Sequence, residues 1–154
     1  MKIACAFDHA GVPLREVVLL AVSDAGHEAI DLGTNDPTNG DDYPDHALAV
    51  AREVVEGRAE RGILVCGSGA GVAVAACKID GIRCAMAHDT YTAHQCVEHD
   101  DVNVLAMGAR VIGEAIARDL VLAFSGAEFT GEERHARRLA KVAKIEADGL
   151  EAAL

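Results

Sequence analysis

Short apolar runs recur along this chain, and each is followed by a segment whose apolar residues return at helical spacing. Strand-like runs fall at Lys2–Phe7, Glu28–Leu32, Gly62–Val65, Ile82–Ala87 and Asn103–Ala106. Between them, Leu14, Val17, Val18 and Ala21 repeat at three- and four-residue intervals after Pro13, and Gly26 closes that helix. Further helices are predicted over Pro44–Val55, Val72–Lys78, Tyr91–Glu98, Glu114–Phe124 and Glu133–Ala152. A run such as Gly62–Val65, apolar on both faces, suits a parallel sheet covered on both sides. Strands alternating with helices are βαβ units with right-handed crossovers. The expected fold is therefore α/β: a three-layer α/β/α sandwich around a five-stranded parallel sheet, Rossmann-like in layout.

Length and charge narrow the function. The chain has 154 residues, which suits one domain over 1–154, its last helix spanning 133–152. Hydrophobic residues make up 51% and charged residues 25%, enough for a packed core. The formal net charge of −11 argues against a basic nucleic-acid or anionic-membrane surface, and 3% aromatics argues against base stacking. No apolar run approaches the ~20 residues of a spanning helix. The first run reaches Asp8 too soon for a secretory leader. Five cysteines, an odd number with no CxxC pair, are expected as reduced thiols in the cytoplasm. No Cys/His cluster has metal-ligand spacing, so no metal is expected.

In a doubly covered sheet, ligands bind beyond the carboxyl ends of the strands. This rule selects Asp8-His9, Gly33-Thr34, Cys66–Gly71, His88-Asp89 and Met107–Arg110. The loop Gly67-Ser68-Gly69-Ala70-Gly71 lies between a strand and a helix; it is either a tight turn or a cradle for a phosphate or developing oxyanion. Val72 stands where a dinucleotide fingerprint needs a small residue, and no Gly-Lys-Ser/Thr occurs. A flavodoxin-like nucleotide-binding module is thus the weaker alternative. Cys66 opens onto this loop, where a thiol near a helix start has more thiolate character, as a base or nucleophile requires. His9 and His99 are candidates for proton transfer, whereas His27, His46 and His94 read as inert surface or helix residues. Arg134, Arg138 and Lys141 share one helical face in a stretch without acids, a candidate phosphate clamp.

These pieces together resemble a known family. Asp8-His9-Ala10-Gly11, Asp42-Tyr43-Pro44-Asp45, Gly62–Gly69, Gly81-Ile82-Arg83, His88-Asp89-Thr90-Tyr91, Asn103–Arg110 and Arg134-His135…Arg138 occur in the order and spacing of the type B ribose-5-phosphate isomerases and their galactose-6-phosphate isomerase relatives. The resemblance implies aldose–ketose isomerisation of a sugar phosphate, ribose 5-phosphate first, with no cofactor and no metal. Related sugars are allose 6-phosphate, galactose 6-phosphate and a tetrose phosphate. It implies Cys66 as the base that forms a cis-enediolate, His99 in ring opening, and Asp8 and His9 near the sugar. Gly67, Ser68, Gly69, Ala70 and Gly71 would stabilise the enediolate oxygen, and Tyr43 would line the sugar pocket. Arg110, Arg134 and Arg138 would hold the phosphate, with His9 or His135 assisting. A homodimer, or a dimer of dimers, with sites shared between subunits is also implied. Two positions depart from the family: Asp100 and Cys77 stand where Asn is usual. Asp100 bears on substrate choice, because a carboxylate repels an enediolate.

Overall fold

The computed structural model describes residues 1–153. Five strands form one sheet: β1 (Lys2–Phe7), β2 (Glu28–Asp31), β3 (Arg61–Cys66), β4 (Cys84–Met86) and β5 (Val104–Gly108). All four pairings are parallel, in the order β2-β1-β3-β5-β4. Six helices accompany them: α1 (Arg15–Asp24), α2 (Tyr43–Val55), α3 (Ala70–Ala76), α4 (Thr90–Asp100), α5 (Glu114–Gly126) and α6 (Glu133–Asp148).

Alternation along the strands builds two cores. Ile3, Cys5, Phe7, Ile63, Val65, Leu105 and Met107 face one side, against Val18, Val22, Val97, Leu120 and Phe124 of α1, α4 and α5. Ala4, Ala6, Leu64, Cys66, Val104 and Ala106 face the other, against Ala47, Val50 and Ala51 of α2 and Val72 and Ala76 of α3. The second side is lined by small residues, so α2 and α3 approach closely: a Cβ on Gly62 would lie 2.4 Å from a Val50 methyl. Truncating a fully buried residue such as Leu64 to Ala would cost about 2–5 kcal/mol.

The strand order places a switch between β1 and β3. From β1 the chain moves outward to β2 through α1; after β2 it returns across the sheet through α2 to β3. The loops that leave β1 and β3 therefore diverge to opposite faces, and the crevice between them is where an α/β sheet binds ligands.

Several boundaries differ from the sequence reading. The fourth strand is Cys84–Met86 rather than Ile82–Ala87, because it is an edge strand paired only with β5. Helix α3 starts at Ala70, inside the expected glycine loop, once Gly69 has turned the chain at φ +84°. The last helix ends at Asp148 rather than Ala152, where Gly149 takes φ +58°. Among the described residues, no helix is long and apolar enough to cross a membrane.

Helix α6 lies apart from both cores. Its Leu139 and Val142 border a groove of about 470 Å³ with Ile82, Cys84 and Val102. Val142 and Ile145 stay about half exposed. The Gly81 amide donates to Glu146 Oε1 at 3.1 Å, pinning the far end of the helix.

Candidate active site

The crevice beyond β1 and β3 holds a cavity of about 380 Å³, lined by Asp8, His9, Tyr43, Cys66, Ser68 and Arg110 among others. Cys66 is the last residue of β3 and only 5% exposed. The Gly69 N–H donates to its Sγ at 3.1 Å, so a main-chain donor already addresses the sulfur. Left-handed Gly69 makes this turn possible. The Ala70 N–H donates to Ser68 Oγ at 3.3 Å.

Asp8 is buried and faces the crevice from the end of β1. Its Oδ1 accepts the N–H groups of Ala10 and Gly11, both at 2.9 Å, so it shapes the turn as well as the cavity wall. Gly11 packs against the β3 backbone so closely that a Cβ would sit 2.2 Å from the Val65 carbonyl oxygen. On the facing loop, the Arg110 N–H donates to the Gly67 carbonyl at 3.0 Å, and the Ala109 N–H to that of Cys66 at 2.9 Å. These bonds tie the arginine's backbone to the cysteine's loop. Tyr43 opens α2 and lays its ring 3.1 Å from where a Gly71 Cβ would be. His88 accepts the Gly108 N–H at Nε2, 3.0 Å, bracing the end of β5 behind the glycine loop.

Asp41 and His46 complete the region. Asp41 Oδ1 accepts the His9 main-chain N–H at 2.8 Å and lies 3.0 Å from His9 Nδ1; its Oδ2 lies 2.7 Å from His46 Nε2. Burial alone would raise the Asp41 carboxyl. The His9 amide and the two imidazoles that donate to it overcome this and hold it at about 2. The Asp41 hydrogen bond raises His9 against an opposing desolvation, and the charge on Asp8 adds to the rise. His46, read from sequence as an inert surface residue, is thus a shielded member of a His–Asp–His cluster. Asp41 was legible only as turn chemistry in Asn-Gly-Asp-Asp, and nothing local in the sequence links it to His9.

The remaining candidates lie elsewhere. His99 is in the last turn of α4, 2.9 Å from Gln95 Nε2 through its Nδ1, and stacks on His135 with ring centroids 4.1 Å apart. His135 is buried, and neither ring nitrogen has a hydrogen-bond partner among the described residues. Desolvation first, then the neighbouring His99, Arg134 and Arg138, lowers its pKa. Arg134 donates to Glu132 at 2.9 Å, and Arg138 borders the α6 groove with Asp100. One chain therefore brings together Asp8, His9, Tyr43, Cys66, the Gly67–Gly71 loop and Arg110, while His99, Asp100, Arg134 and Arg138 gather near α6. Among the described residues, no group of three or more His, Cys, Asp or Glu side chains is placed to hold a metal ion.

Comparison with known proteins accords with this arrangement. The sequence matches the Ribose/Galactose Isomerase family over residues 3–142. Ribose-5-phosphate isomerase B of Escherichia coli is 39% identical over 145 residues, covering 94% of this chain and 96% of that protein. D-erythrulose-4-phosphate isomerase of Pectobacterium atrosepticum is 37% identical, covering 85% of this chain and 86% of its own. The solved ribose-5-phosphate isomerase B of Clostridium thermocellum superposes with a TM-score of 0.91 at 42% identity, covering 96% of this chain and 98% of that one. With the parallel sheet, the cysteine at the end of β3 and the motifs in their order, the chain belongs to the ribose/galactose isomerase family.

Proposed function

We propose that the protein interconverts ribose 5-phosphate and ribulose 5-phosphate, with Cys66 as the base. The observation that carries this reading is the sulfur of Cys66 beneath the crevice, with a main-chain N–H donated to it at 3.1 Å. The Cys66 thiolate takes the proton from C2 of the open-chain aldose. Electrons move into the carbonyl at C1, giving a cis-enediolate. Return of the proton to C1, with proton transfer between the two oxygens, yields the ketose. Ser68 and the main-chain N–H groups of Gly67 and Gly71 stabilise the negative oxygen, a contribution of ~3–4 kcal/mol per well-placed donor, while those of Gly69 and Ala70 hold Cys66 Sγ and Ser68 Oγ in place beside it. Asp8, His9 and Tyr43 border the sugar, and Arg110 meets the phosphate. Because the phosphate does not react, its binding energy orients the carbons that do.

A second copy completes the site in this reading. His99, Asp100, Arg134 and Arg138 of one subunit serve the crevice of its neighbour, in a homodimer or a dimer of dimers. His99 assists ring opening there, and the two arginines add to the phosphate clamp. The 154 residues act as one domain with α6 as the dimer arm, in the reducing cytoplasm that suits free thiols.

The Pectobacterium relative, named for D-erythrulose 4-phosphate, favours keeping a tetrose phosphate as the second substrate. Asp100, where the larger family has Asn, bears on the same choice. A coupled assay on ribose 5-phosphate, erythrulose 4-phosphate, allose 6-phosphate and galactose 6-phosphate decides between them. Turnover of ribose 5-phosphate above the others supports the proposal; full activity in Cys66→Ala moves the base elsewhere.

A further inference from the structure

We propose that Asp41 and His46 are positioning residues that hold His9 as the anion-facing imidazole of the crevice, through a His46–Asp41–His9 hydrogen-bonded relay. This rests on reading the crevice as a sugar-phosphate site. Neither Asp41 nor His46 lines the cavity; His9 does.

The three residues come from three segments. His9 lies beyond β1, Asp41 lies near the end of the turn-rich loop before α2, and His46 lies in the first turns of α2. The carboxylate uses both oxygens: Oδ1 takes the His9 main-chain and Nδ1 contacts, and Oδ2 takes His46 Nε2. An ionised carboxylate only accepts, so each nitrogen that faces it carries a proton. His9 is thereby fixed as the Nδ1–H form, and Nε2 is the nitrogen left for a ligand. Two contacts to one oxygen, from the ring and from its own backbone, also fix the ring's rotation.

Burial grades along the relay. The His46 and Asp41 side chains are 13% and 15% exposed, while that of His9 is 37% exposed. The inner pair is shielded and the outer ring meets the ligand. The charged and titratable groups around His9 are Asp41, with His46 behind it, Asp8 on its own turn, and Tyr43, Arg110 and Cys66, which line the same cavity. Asp41 and Asp8 favour the imidazolium, and desolvation opposes it. Protonated His9 therefore adds a second cation to the cavity that Arg110 also lines. Asp41 also ties the loop that leads into Tyr43 to the turn after β1, so one carboxylate registers two walls of the crevice.

The test follows the His9 ring by NMR in isotope-labelled wild type, Asp41→Asn, Asp41→Glu and His46→Phe, all as the intact assembly. Inorganic phosphate binding and kcat and KM for ribose 5-phosphate are measured on each. Asp41→Asn removes the charge that favours the imidazolium, so the His9 midpoint moves to lower pH. Phosphate affinity falls about tenfold, the weight of one charge-assisted hydrogen bond, and KM rises more than kcat falls. Asp41→Glu recovers part of both. His46→Phe removes a donor that competes for the carboxylate, so the His9 midpoint moves to higher pH. Opposite shifts in these two variants are what a relay produces and a merely structural role does not. An unchanged His9 midpoint and phosphate affinity in Asp41→Asn overturns the proposal, as do shifts of the same sign in both variants. Failure of the wild type to turn over any sugar phosphate overturns the reading of the site instead, and leaves the His9 shifts to be judged on their own.

Discussion

Cys66 and His99 lie at opposite ends of the same sheet. Cys66 ends β3 and pairs in register with Gly108, the last residue of β5; His99 lies in the last turn of α4, which leads into Val104, the first residue of β5. Helix α4 runs back along the sheet for 11 residues, about 16 Å at the rise of an α-helix. If Cys66 is the base and His99 the ring-opening imidazole, as proposed, this placement sets the two groups in different subunits of a shared site. Mixed assemblies of Cys66→Ala and His99→Ala subunits are therefore expected to regain activity that neither variant has alone. With random pairing, half the dimers are mixed and one of their two sites is intact, so roughly a quarter of wild-type activity returns. A mixture as inactive as its parents shows that the subunits do not share the site.

Removing the sulfur has a distinct signature. A general base contributes about 10²–10⁴ in rate, so Cys66→Ala should lower kcat by that factor with little change in KM. The side chain ends a strand and accepts one amide, so the variant should melt close to the wild type. Exchange of the C2 hydrogen with deuterated solvent, followed by NMR, should fall in parallel with turnover. Exchange at the wild-type rate in Cys66→Ala places the proton transfer on another group.

Much of this was legible in the sequence, for physical reasons. The five runs that became strands are apolar on both faces or bounded by Gly, and the strand-end rule led directly to Asp8, His9, Cys66 and Arg110. The sequence was less informative where a contact depends on distant segments. That Gly11 is required by the Val65 carbonyl follows only from β1 and β3 being neighbours. His46 read as inert because its partner, Asp41, sat in a stretch with the chemistry of a turn. The separation of His99 from Cys66 follows from the direction of α4, which a linear motif does not carry.

Two glycines of the crevice should respond oppositely to alanine. At Gly11 the new methyl would meet the Val65 carbonyl oxygen at 2.2 Å, main chain in a central strand that cannot give way. Gly11→Ala is expected to lose about 1–3 kcal/mol of stability, the usual range for overpacking, read as a lower urea midpoint. At Gly67 the nearest atoms, of Ala10 and Arg110, lie at 3.5 Å, ordinary contact. Gly67→Ala should fold normally and raise KM, because its methyl enters the cavity. A destabilised Gly67→Ala with unchanged KM contradicts the placement of that loop.

His135 makes stability depend on pH with a determined sign. Its buried ring, beside His99 and two arginines, takes up a proton less readily than in the unfolded chain, whose histidine titrates near 6.5. The unfolded state thus binds the proton first on acidification, and stability falls as pH drops below about 6.5. His135→Phe keeps an aromatic ring against His99 and removes the titration. At fixed protein concentration, its stability should vary less than that of the wild type between roughly pH 7 and 5. Parallel profiles would mean that His135 is not held neutral.

The five thiols should separate by reactivity with a maleimide near neutral pH. Cys77 is exposed at the end of α3 and should label first. Cys5 and Cys96 are buried, and desolvation pushes them up to about 12 and about 11, so both should stay unlabelled until the protein unfolds. Cys84 is raised by the same cause, reinforced by the adjacent Cys77, whose Sγ lies 3.4 Å from the Cys84 carbonyl oxygen. Cys66 opens onto the crevice, and its labelling should be slowed by ribose 5-phosphate. Activity should decline with the modification of Cys66 and not with that of Cys77, which peptide mapping over the time course can separate. Inactivation that tracks Cys77 while Cys66 stays unmodified would place the sensitive thiol beside the α6 groove and remove the main support for a sulfur base at the end of β3.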